Sequence, residues 1–399
     1  MLDSFLWSRD LPLEVFVFNR TSVSDQTRES SDSQLQAANL EYARVQAITT
    51  ALIPHVSRCK LLRFELVYPT SVPPAALFLQ HHPTRLQELV LLPGGGKIPS
   101  LPFVVKVDCP WTISEFFTPL PSFRQLKCLV LDAFTFMSLG RAFKGSLKEL
   151  KGWALRLEVS TYTFQPARMD PSSIRFTIEE FVDYLRTLRP EFLTLRDLLI
   201  ANPKITHAEY LPTHAKHYSP IYVPLLFENV SKKIISKCLP VCDLQTDSIT
   251  FRSCDIPPMD EFYALYLKLD HIPEWTDLEG VLELWEGREL TIKSSACFND
   301  SLLAWLSDNR HCARHLDALK LYDCHSFSIE ALKEFIDTRT QEIDEDSEED
   351  SEDSDDDNEA RDIREYTYRA EVKPSRMRID HGLRDMLNTF RSQSTDTRV

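Results

Sequence analysis

Glycine is scarce in this sequence, which contains nine glycines among 399 residues. This scarcity disfavours any site built from glycine-rich loops that wrap a phosphate. The run Gly94–Lys97 is the nearest candidate, but a phosphate loop needs G-x-x-x-x-G-K followed by serine or threonine, whose hydroxyl reaches magnesium. Ile98 follows the lysine instead, and Pro93 and Pro99 bracket the glycines. We interpret the run as a surface turn.

Long apolar runs are also missing. No stretch approaches the ~20 apolar residues of a membrane helix, and residues 1–10 lack the basic start and unbroken apolar run of a signal peptide. The nine cysteines are an odd number and are scattered along the chain, which is typical of reduced thiols. We therefore expect a cytoplasmic or nuclear protein without a membrane association.

A strong overall charge is absent outside one segment. The formal net charge is −15, but residues 342–359 carry 13 acidic side chains and no basic one, so the rest of the chain has 47 acidic and 45 basic residues. Because no broad basic surface is indicated, we expect no nucleic-acid partner.

The acidic run cannot bury apolar surface, and we predict a disordered linker over 341–360. Within it, Ser347, Ser351 and Ser354 precede acidic residues, so an acidophilic kinase could phosphorylate them. The charged linker could bind a basic partner, shield the segment that follows it, or act as a solvated spacer.

Signatures of catalysis and metal binding are weak. No G-x-S-x-G motif occurs, and structural zinc sites need four ligands in tight pairs. We expect a non-enzymatic protein with no cofactor, metal site or catalytic residue, because buried thiols or loop residues explain the three loose His/Cys groups. These groups are His207 with His214 and His217; Cys238 with Cys242 and Cys254; and Cys297 with His311, Cys312 and His315.

One repeat motif is present with full fidelity. Residues 316–324 read L-D-A-L-K-L-Y-D-C and match the leucine-rich-repeat line L-x-x-L-x-L-x-x-N/C. Leu319 and Leu321 alternate inward on a short strand, and Cys324 is predicted to lie under the turn that ends it. Ser328 can then cap a helix with apolar residues at helical spacing. The segment therefore predicts a strand, a corner and a helix.

Weaker echoes of this motif occur elsewhere in the chain. The intervals between them are irregular, and 120 residues separate Leu131 from Phe251, which requires insertions or unrecognised repeats. Helices are predicted over about 34–52, after a capping box at Thr177 and after a cap at Asn299. The echoes are the alternating pairs Phe64/Leu66, Leu89/Leu91, Leu129/Leu131, Ile249/Phe251, Leu267/Leu269 and Leu290/Ile292.

These patterns predict an α/β fold, an irregular leucine-rich-repeat-like solenoid (a horseshoe) over 1–340, followed by the disordered acidic linker. Residues 361–399 are predicted to form a strand and an amphipathic helix, which either cap the solenoid or bind a partner. Strand alternation also predicts the outward, partner-binding side chains of the concave face. They are Glu65, Asp132, Arg252, Tyr266, Lys268, Asp270, Lys293, Lys320 and Tyr322.

Taken together, the chain resembles the F-box/leucine-rich-repeat-like proteins of mushroom-forming fungi over about 6–340. The likeness rests on loose motifs and one specific repeat, namely L-W-S-R-D-L-P-L-E-V (6–15), H-V-S-R (55–58), L-Q-E-L-V-L (86–91) and L-K-L-Y-D-C (319–324). The resemblance implies a substrate-recognition subunit of a cullin-type ubiquitin ligase, in which an F-box docks on a Skp-type adaptor.

The sequence departs from that family at its start. Residues 11–15 copy an F-box core, but Phe16-Val-Phe18 continues as an alternating strand, and we interpret 6–18 as the first solenoid strand. Skp binding is then expected only if an F-box lies upstream. The alternative is a solenoid scaffold with no ubiquitin-ligase link. In either case the partner is expected to be a protein of unknown identity.

Overall fold

The computed structural model describes most of the chain up to Glu345. The described residues are 10–19, 31–81, 83–93, 123, 125–143, 146–150, 155–164, 176–200, 224–241, 245–258, 263–309 and 315–345. The turn at Gly94–Lys97, the serines Ser347, Ser351 and Ser354, and the predicted C-terminal segment 361–399 lie outside these ranges.

Within the described ranges, the strands of each of the chain's two compact units pair in parallel with their neighbours in chain order. The fold is therefore α/β, as the sequence predicts. The strands are β1 (Leu13–Phe18), β2 (Cys59–Leu66), β3 (Glu88–Pro93), β4 (Cys128–Asp132), β5 (Arg156–Phe164), β6 (Phe192–Ile200), β7 (Leu225–Glu228), β8 (Gln245–Arg252), β9 (Tyr263–Asp270), β10 (Glu289–Lys293) and β11 (Ala318–Tyr322).

Helices occupy most of the connections between these strands. None of the described helices is long and apolar enough to cross a membrane. The helices are α1 (Ser31–Leu52), α2 (Ala75–Leu79), α3 (Ala133–Ala142), α4 (Ile178–Leu188), α5 (Lys232–Cys238), α6 (Leu278–Leu282), α7 (Asp300–Asp308) and α8 (Ile329–Glu345).

The chain divides into two compact units, Met1–Thr246 and Asp247–Val399, where the sequence predicted one solenoid over 1–340. In the first unit, the parallel register stacks two rows of buried apolar side chains from β2 to β7, one from each alternate position of the strands. The rows are Leu62, Leu89, Leu129, Leu157, Leu193 and Leu225, and Phe64, Leu91, Leu131, Val159, Leu195 and Phe227.

Three strands of the first unit fill the long interval between Leu131 and Phe251. They are β5, β6 and β7, so the interval contains strands that the sequence did not predict. Each contributes to both buried rows, although β5 does so with Leu157 and Val159 rather than with two leucines. The predicted echoes on β2, β3 and β4 are confirmed as strands.

Helix ends in the first unit follow the capping chemistry of the sequence. Thr177 and Glu180 form the predicted capping box at the start of α4, with the Thr177 hydroxyl accepting from the Glu180 amide over 3.1 Å. The apolar side of α4 then packs against α3, where the rings of Phe136 and Phe181 meet edge to face at 5.6 Å. Helix α3 in turn contacts β4 and β5.

In the second unit the same two-row pattern recurs. One buried row in register is formed by Leu267, Leu290 and Leu319. The next buried row is formed by Leu269 and Ile292. The predicted caps are confirmed, since Asn299 accepts from the Leu302 amide and the Ser328 hydroxyl accepts from the Ala331 amide.

Helix α8 continues to Glu345 and overlaps the first residues of the predicted linker 341–360.

Candidate functional site

The sheet face opposite the apolar core of the second unit carries the densest group of predicted outward residues. Because side chains alternate along a strand, the residues between the buried leucines point to the other face. We call this surface the β8–β11 face and define it by Arg252, Tyr266, Lys268, Asp270, Glu289, Thr291, Lys293, Lys320 and Tyr322.

The register fixes the order of side chains on this face. Lys268, Thr291 and Lys320 form one row across β9, β10 and β11. Asp270, Lys293 and Tyr322 form the next, and Tyr266 with Glu289 begins the row before. Seven of the nine residues predicted to face outward thus lie on four consecutive strands.

Exposure differs among these residues. Tyr266 and Tyr322 are exposed by 45% and 41%, and the four basic residues Arg252, Lys268, Lys293 and Lys320 are half-buried. Asp270 lies on the same face but is only 3% exposed. Its burial follows from its two partners, which cover the carboxylate.

The carboxylate of Asp270 joins two elements of the second unit. Its Oδ2 atom accepts from Nε of Arg252 over 2.9 Å, and its Oδ1 atom lies 2.7 Å from Nδ1 of His271. Burial alone would raise the pKa of Asp270, but the hydrogen bonds from His271 and Arg252 and the positive charge of Arg252 lower it below the ordinary value. Asp270 therefore stays ionised and fixes the guanidinium of Arg252.

A second ion pair on the face joins Lys320 on β11 to Glu289 on β10. The Nζ atom of Lys320 donates to Oε1 of Glu289 over 2.7 Å. Sequence reasoning missed Glu289 and His271. Glu289 could have been found, because it shares the alternation of Thr291 and Lys293 on one short strand.

The remaining two cations of the face, Lys268 and Lys293, differ from Arg252 and Lys320. In the part of the chain that the structure describes, neither forms an ion pair with an acidic side chain. Both oxygens of Asp270 are engaged by Arg252 and His271, and Glu289 is engaged by Lys320.

The face ends at a corner that repeats from strand to strand. The residue after each strand, namely Ser253, His271, Ser294 and Asp323, has a left-handed backbone with φ between 47° and 54°. The amide of each of the first three donates over 2.9 Å to the last carbonyl of the next strand. These bonds hold the ends of β8, β9, β10 and β11 level with one another.

Cys324 lies directly beyond this corner, as the repeat motif predicts. Its Sγ atom contacts the carbonyl oxygens of Tyr322 at 3.3 Å and Ile292 at 3.6 Å. Burial raises the pKa of this thiol. Its arrangement is that of a weak donor to backbone groups, which is a structural role.

The two other predicted outward residues belong to the first unit. Glu65 is half-buried and accepts from Nε of Arg63 over 2.7 Å. Asp132 is 6% exposed. Helix α3 starts directly after Asp132. The carboxylate of Asp132 accepts from the Thr135 amide at 3.0 Å and from the Thr135 hydroxyl at 2.6 Å. Burial raises the pKa of Asp132 to about 6, although these bonds act to lower it.

Charges on the sheet of the first unit are mutually compensated where strands β5, β6 and β7 meet. Arg196 lies between Glu158, at 2.8 Å, and Glu228, at 2.7 Å. A cation held between two carboxylates is less available to a ligand than Lys268 or Lys293. We therefore place the candidate site on the β8–β11 face.

Among the described residues, no cluster of three or more His, Cys, Asp and Glu side chains could hold a metal ion. Residues His207, His214, His217, Cys242, His311 and Cys312 lie outside the described ranges, whereas Cys238, Cys254 and Cys297 are buried. Burial raises the pKa of Cys297 to about 12, so this thiol is a poor nucleophile.

Comparison with known proteins leaves the β8–β11 face as the guide to function. No protein-family model, no curated protein and no solved structure matches this chain significantly.

Proposed function

We propose that this protein is a recognition protein of the leucine-rich-repeat solenoid type, which binds a protein partner through the β8–β11 face. The observation that carries the proposal is the composition of that face. Two exposed tyrosines and four cations occupy consecutive parallel strands, opposite a continuous apolar core. Tyrosine and arginine are enriched in protein interfaces, and a rigid sheet holds their side chains in fixed positions.

The two described carboxyl groups with shifted pKa values support binding rather than catalysis, because each shift has a structural explanation. The raised pKa of Asp132 belongs to a buried helix cap, and the lowered pKa of Asp270 belongs to a carboxylate that orients Arg252. Such groups are candidates for catalysis when they line a cleft with a reactive partner. Here the partner of Asp132 is Thr135 and the partners of Asp270 are Arg252 and His271, and these contacts hold local structure.

The resemblance to F-box/leucine-rich-repeat-like proteins extends this proposal to substrate recognition for a cullin-type ubiquitin ligase. One observation favours the alternative, a scaffold without a ligase link. The stretch that copies an F-box core contains the start of β1, whose Val15 and Val17 pair with Leu62 and Phe64 of β2. A strand that is part of the sheet is not free to form the helices of an F-box.

The recognition proposal is tested by affinity purification of the full chain from cell extract. We expect that Lys320→Ala combined with Tyr322→Ala removes one or more bound proteins that the unchanged chain retains. The control is Lys333→Ala, at an exposed position of α8, which should keep every partner. If the double variant retains the same partners in the same amounts, the β8–β11 face is not the binding surface.

The ubiquitin-ligase extension needs a separate measurement. Purified full chain is mixed with a purified Skp-type adaptor and analysed by size-exclusion chromatography. A stable complex supports the ligase role. No complex at micromolar concentrations contradicts it and leaves the scaffold alternative, without affecting the recognition proposal.

A further inference from the structure

We propose that the β8–β11 face binds an extended acidic peptide, with Lys268 and Lys293 as the contacts for two carboxylates on alternate residues of that peptide. The inference rests on the proposed recognition function and adds the chemistry of the partner. It follows from which charges the protein neutralises by itself and which it leaves available.

The β8–β11 face carries more positive than negative side chains. Its ionised side chains are four cations and two carboxylates. The carboxylates of Asp270 and Glu289 are paired with Arg252 at 2.9 Å and with Lys320 at 2.7 Å. Lys268 and Lys293 are left without an acidic partner among the described residues. Two half-buried ammonium groups in such a position favour a ligand that brings two negative charges.

The geometry of the two lysines also favours such a ligand. They lie on the adjacent strands β9 and β10, and the register pairs Lys268 with Thr291 and Lys293 with Asp270. One strand spacing and a two-residue rise place their Cα atoms about 8 Å apart. Alternate side chains of an extended peptide point to one side and are about 7 Å apart, so carboxylates at positions i and i+2 suit the pair.

Two exposed tyrosines lie at the two ends of the lysine pair. Tyr266 precedes Lys268 by two residues on the same face of β9, and Tyr322 pairs in register with Lys293. The four side chains thus follow a diagonal path, Tyr266 to Lys268 to Lys293 to Tyr322. This path is about 20 Å long, which is the length of about six extended residues. The exposed rings at both ends can pack against apolar residues that flank the acidic pair.

The test measures binding of a synthetic peptide to the full chain by fluorescence anisotropy. The probe is about eight residues long, with two glutamates at alternate positions and leucines outside them, and the reference probe carries glutamines instead. We expect the acidic probe to bind at least about tenfold more tightly than the reference, with an affinity that falls as salt is raised.

Variants locate the binding on the face. Lys268→Glu combined with Lys293→Glu should weaken binding of the acidic probe by about tenfold or more, because both contacts become repulsive. The matched control is Lys333→Glu on α8, which should leave binding unchanged. Circular dichroism of each variant establishes that the fold is kept. If the folded double variant binds the acidic probe as tightly as the unchanged chain, the inference is overturned.

The chain's own acidic run could compete with the probe because it is tethered and therefore present at a high effective concentration. The titration is repeated with a full chain in which the acidic residues of 346–359 are replaced by asparagine and glutamine. The inference is supported if the acidic probe binds this form of the chain and if the Lys268→Glu and Lys293→Glu changes abolish that binding. Equal binding of acidic and glutamine probes to both forms contradicts it.

Failure of this inference and failure of the recognition proposal give different results. A partner that is lost with the Lys320 and Tyr322 changes, but retained with the Lys268 and Lys293 changes, leaves the recognition function in place and removes the acidic-peptide specificity.

Discussion

The indole N–H of Trp285 donates over 2.9 Å to the carbonyl oxygen of Ala264. Trp285 follows α6 and is 2% exposed, whereas Ala264 is fully buried on β9. The hydrogen bond therefore connects the helical connection after β9 to the start of the same strand. It satisfies two buried polar groups and is one of the contacts that position the β8–β11 face.

We predict that Trp285→Phe destabilises the second unit by about 2–4 kcal/mol, since it leaves a buried carbonyl without its donor and opens a cavity. Urea unfolding followed by circular dichroism measures the change. The matched control is Trp275→Phe, at a side chain that is 78% exposed, which should change stability by less than about 0.5 kcal/mol. Equal effects at the two positions would contradict this account.

Gly287 gives a second prediction from the same contact. A Cβ atom there would lie 2.1 Å from the Ala264 carbonyl oxygen and 2.3 Å from the Trp285 ring. Gly287→Ala should therefore cost about 1–3 kcal/mol or more, because the backbone oxygen cannot move aside. Gly280→Ala is the control, since its nearest neighbour is a side-chain oxygen of Asp277 at 3.1 Å. Its effect on the urea midpoint should be much smaller.

The pKa of Asp132, raised to about 6 from 3.8, predicts a pH dependence. The folded state holds this proton more tightly than the unfolded chain, so its contribution to stability is full at acid pH and is lost as the pH rises from about 4 through 6. Asp132→Asn keeps an oxygen acceptor for the Thr135 amide and removes the titration. Relative to the variant, the free energy of unfolding of the unchanged chain should fall by up to about 3 kcal/mol between pH 4 and pH 7.

The measurement is the free energy of unfolding of both proteins at several pH values, and the quantity of interest is their difference. Thr135→Val provides a further check. It removes a hydroxyl that stabilises the ionised carboxylate and should move the loss of stability to higher pH. A difference that does not change with pH would show that Asp132 does not titrate in this range.

Arg252→Gln should destabilise the second unit by about 1–3 kcal/mol at neutral pH, because the buried carboxylate of Asp270 loses its charged partner. The lowered pKa of Asp270 means that its ion pair stabilises the fold above the ordinary carboxyl pKa and ceases to do so as the pH falls through the lowered value. The deficit of the variant should therefore shrink in acid.

The control for that prediction is Arg288→Gln. The ion pair of Arg288 with Asp317 is long, at 3.9 Å, and exposed, so its loss should cost less than about 1 kcal/mol. If both arginine changes had the same effect on the urea midpoint, the burial of Asp270 would not be the reason for the cost.

The strands that the sequence predicts carry two large apolar residues at alternate positions, and the structure confirms those on β2, β3, β4, β8, β9, β10 and β11. β6 carries such a pair too, Leu193 and Leu195, but it was not recognised. β5 was missed because it presents Leu157 and Val159 within a polar stretch, and its place became visible through pairing with β4 and β6. Parallel pairing is non-local, so it leaves little trace in a short sequence window.

The candidate site shows the same limit. Alternation alone predicted that Lys268, Lys293 and Tyr322 share a face, because this depends on the period of a strand. It did not predict that Asp270 is buried, because that depends on Arg252, which comes from another strand. It did not predict the burial of Asp132 either, because that depends on the helix that starts directly after this residue and that its carboxylate caps.

The left-handed corners after β8 to β11 have a consequence for how such a protein can change over time. Each corner sets the end of its strand level with the next, whatever the length of the connection that follows. A loop can therefore grow or shrink, and a whole repeat can be gained or lost, without shifting the rows of side chains on the remaining strands. The side chains of the β8–β11 face can thus be altered one strand at a time while the core is inherited intact.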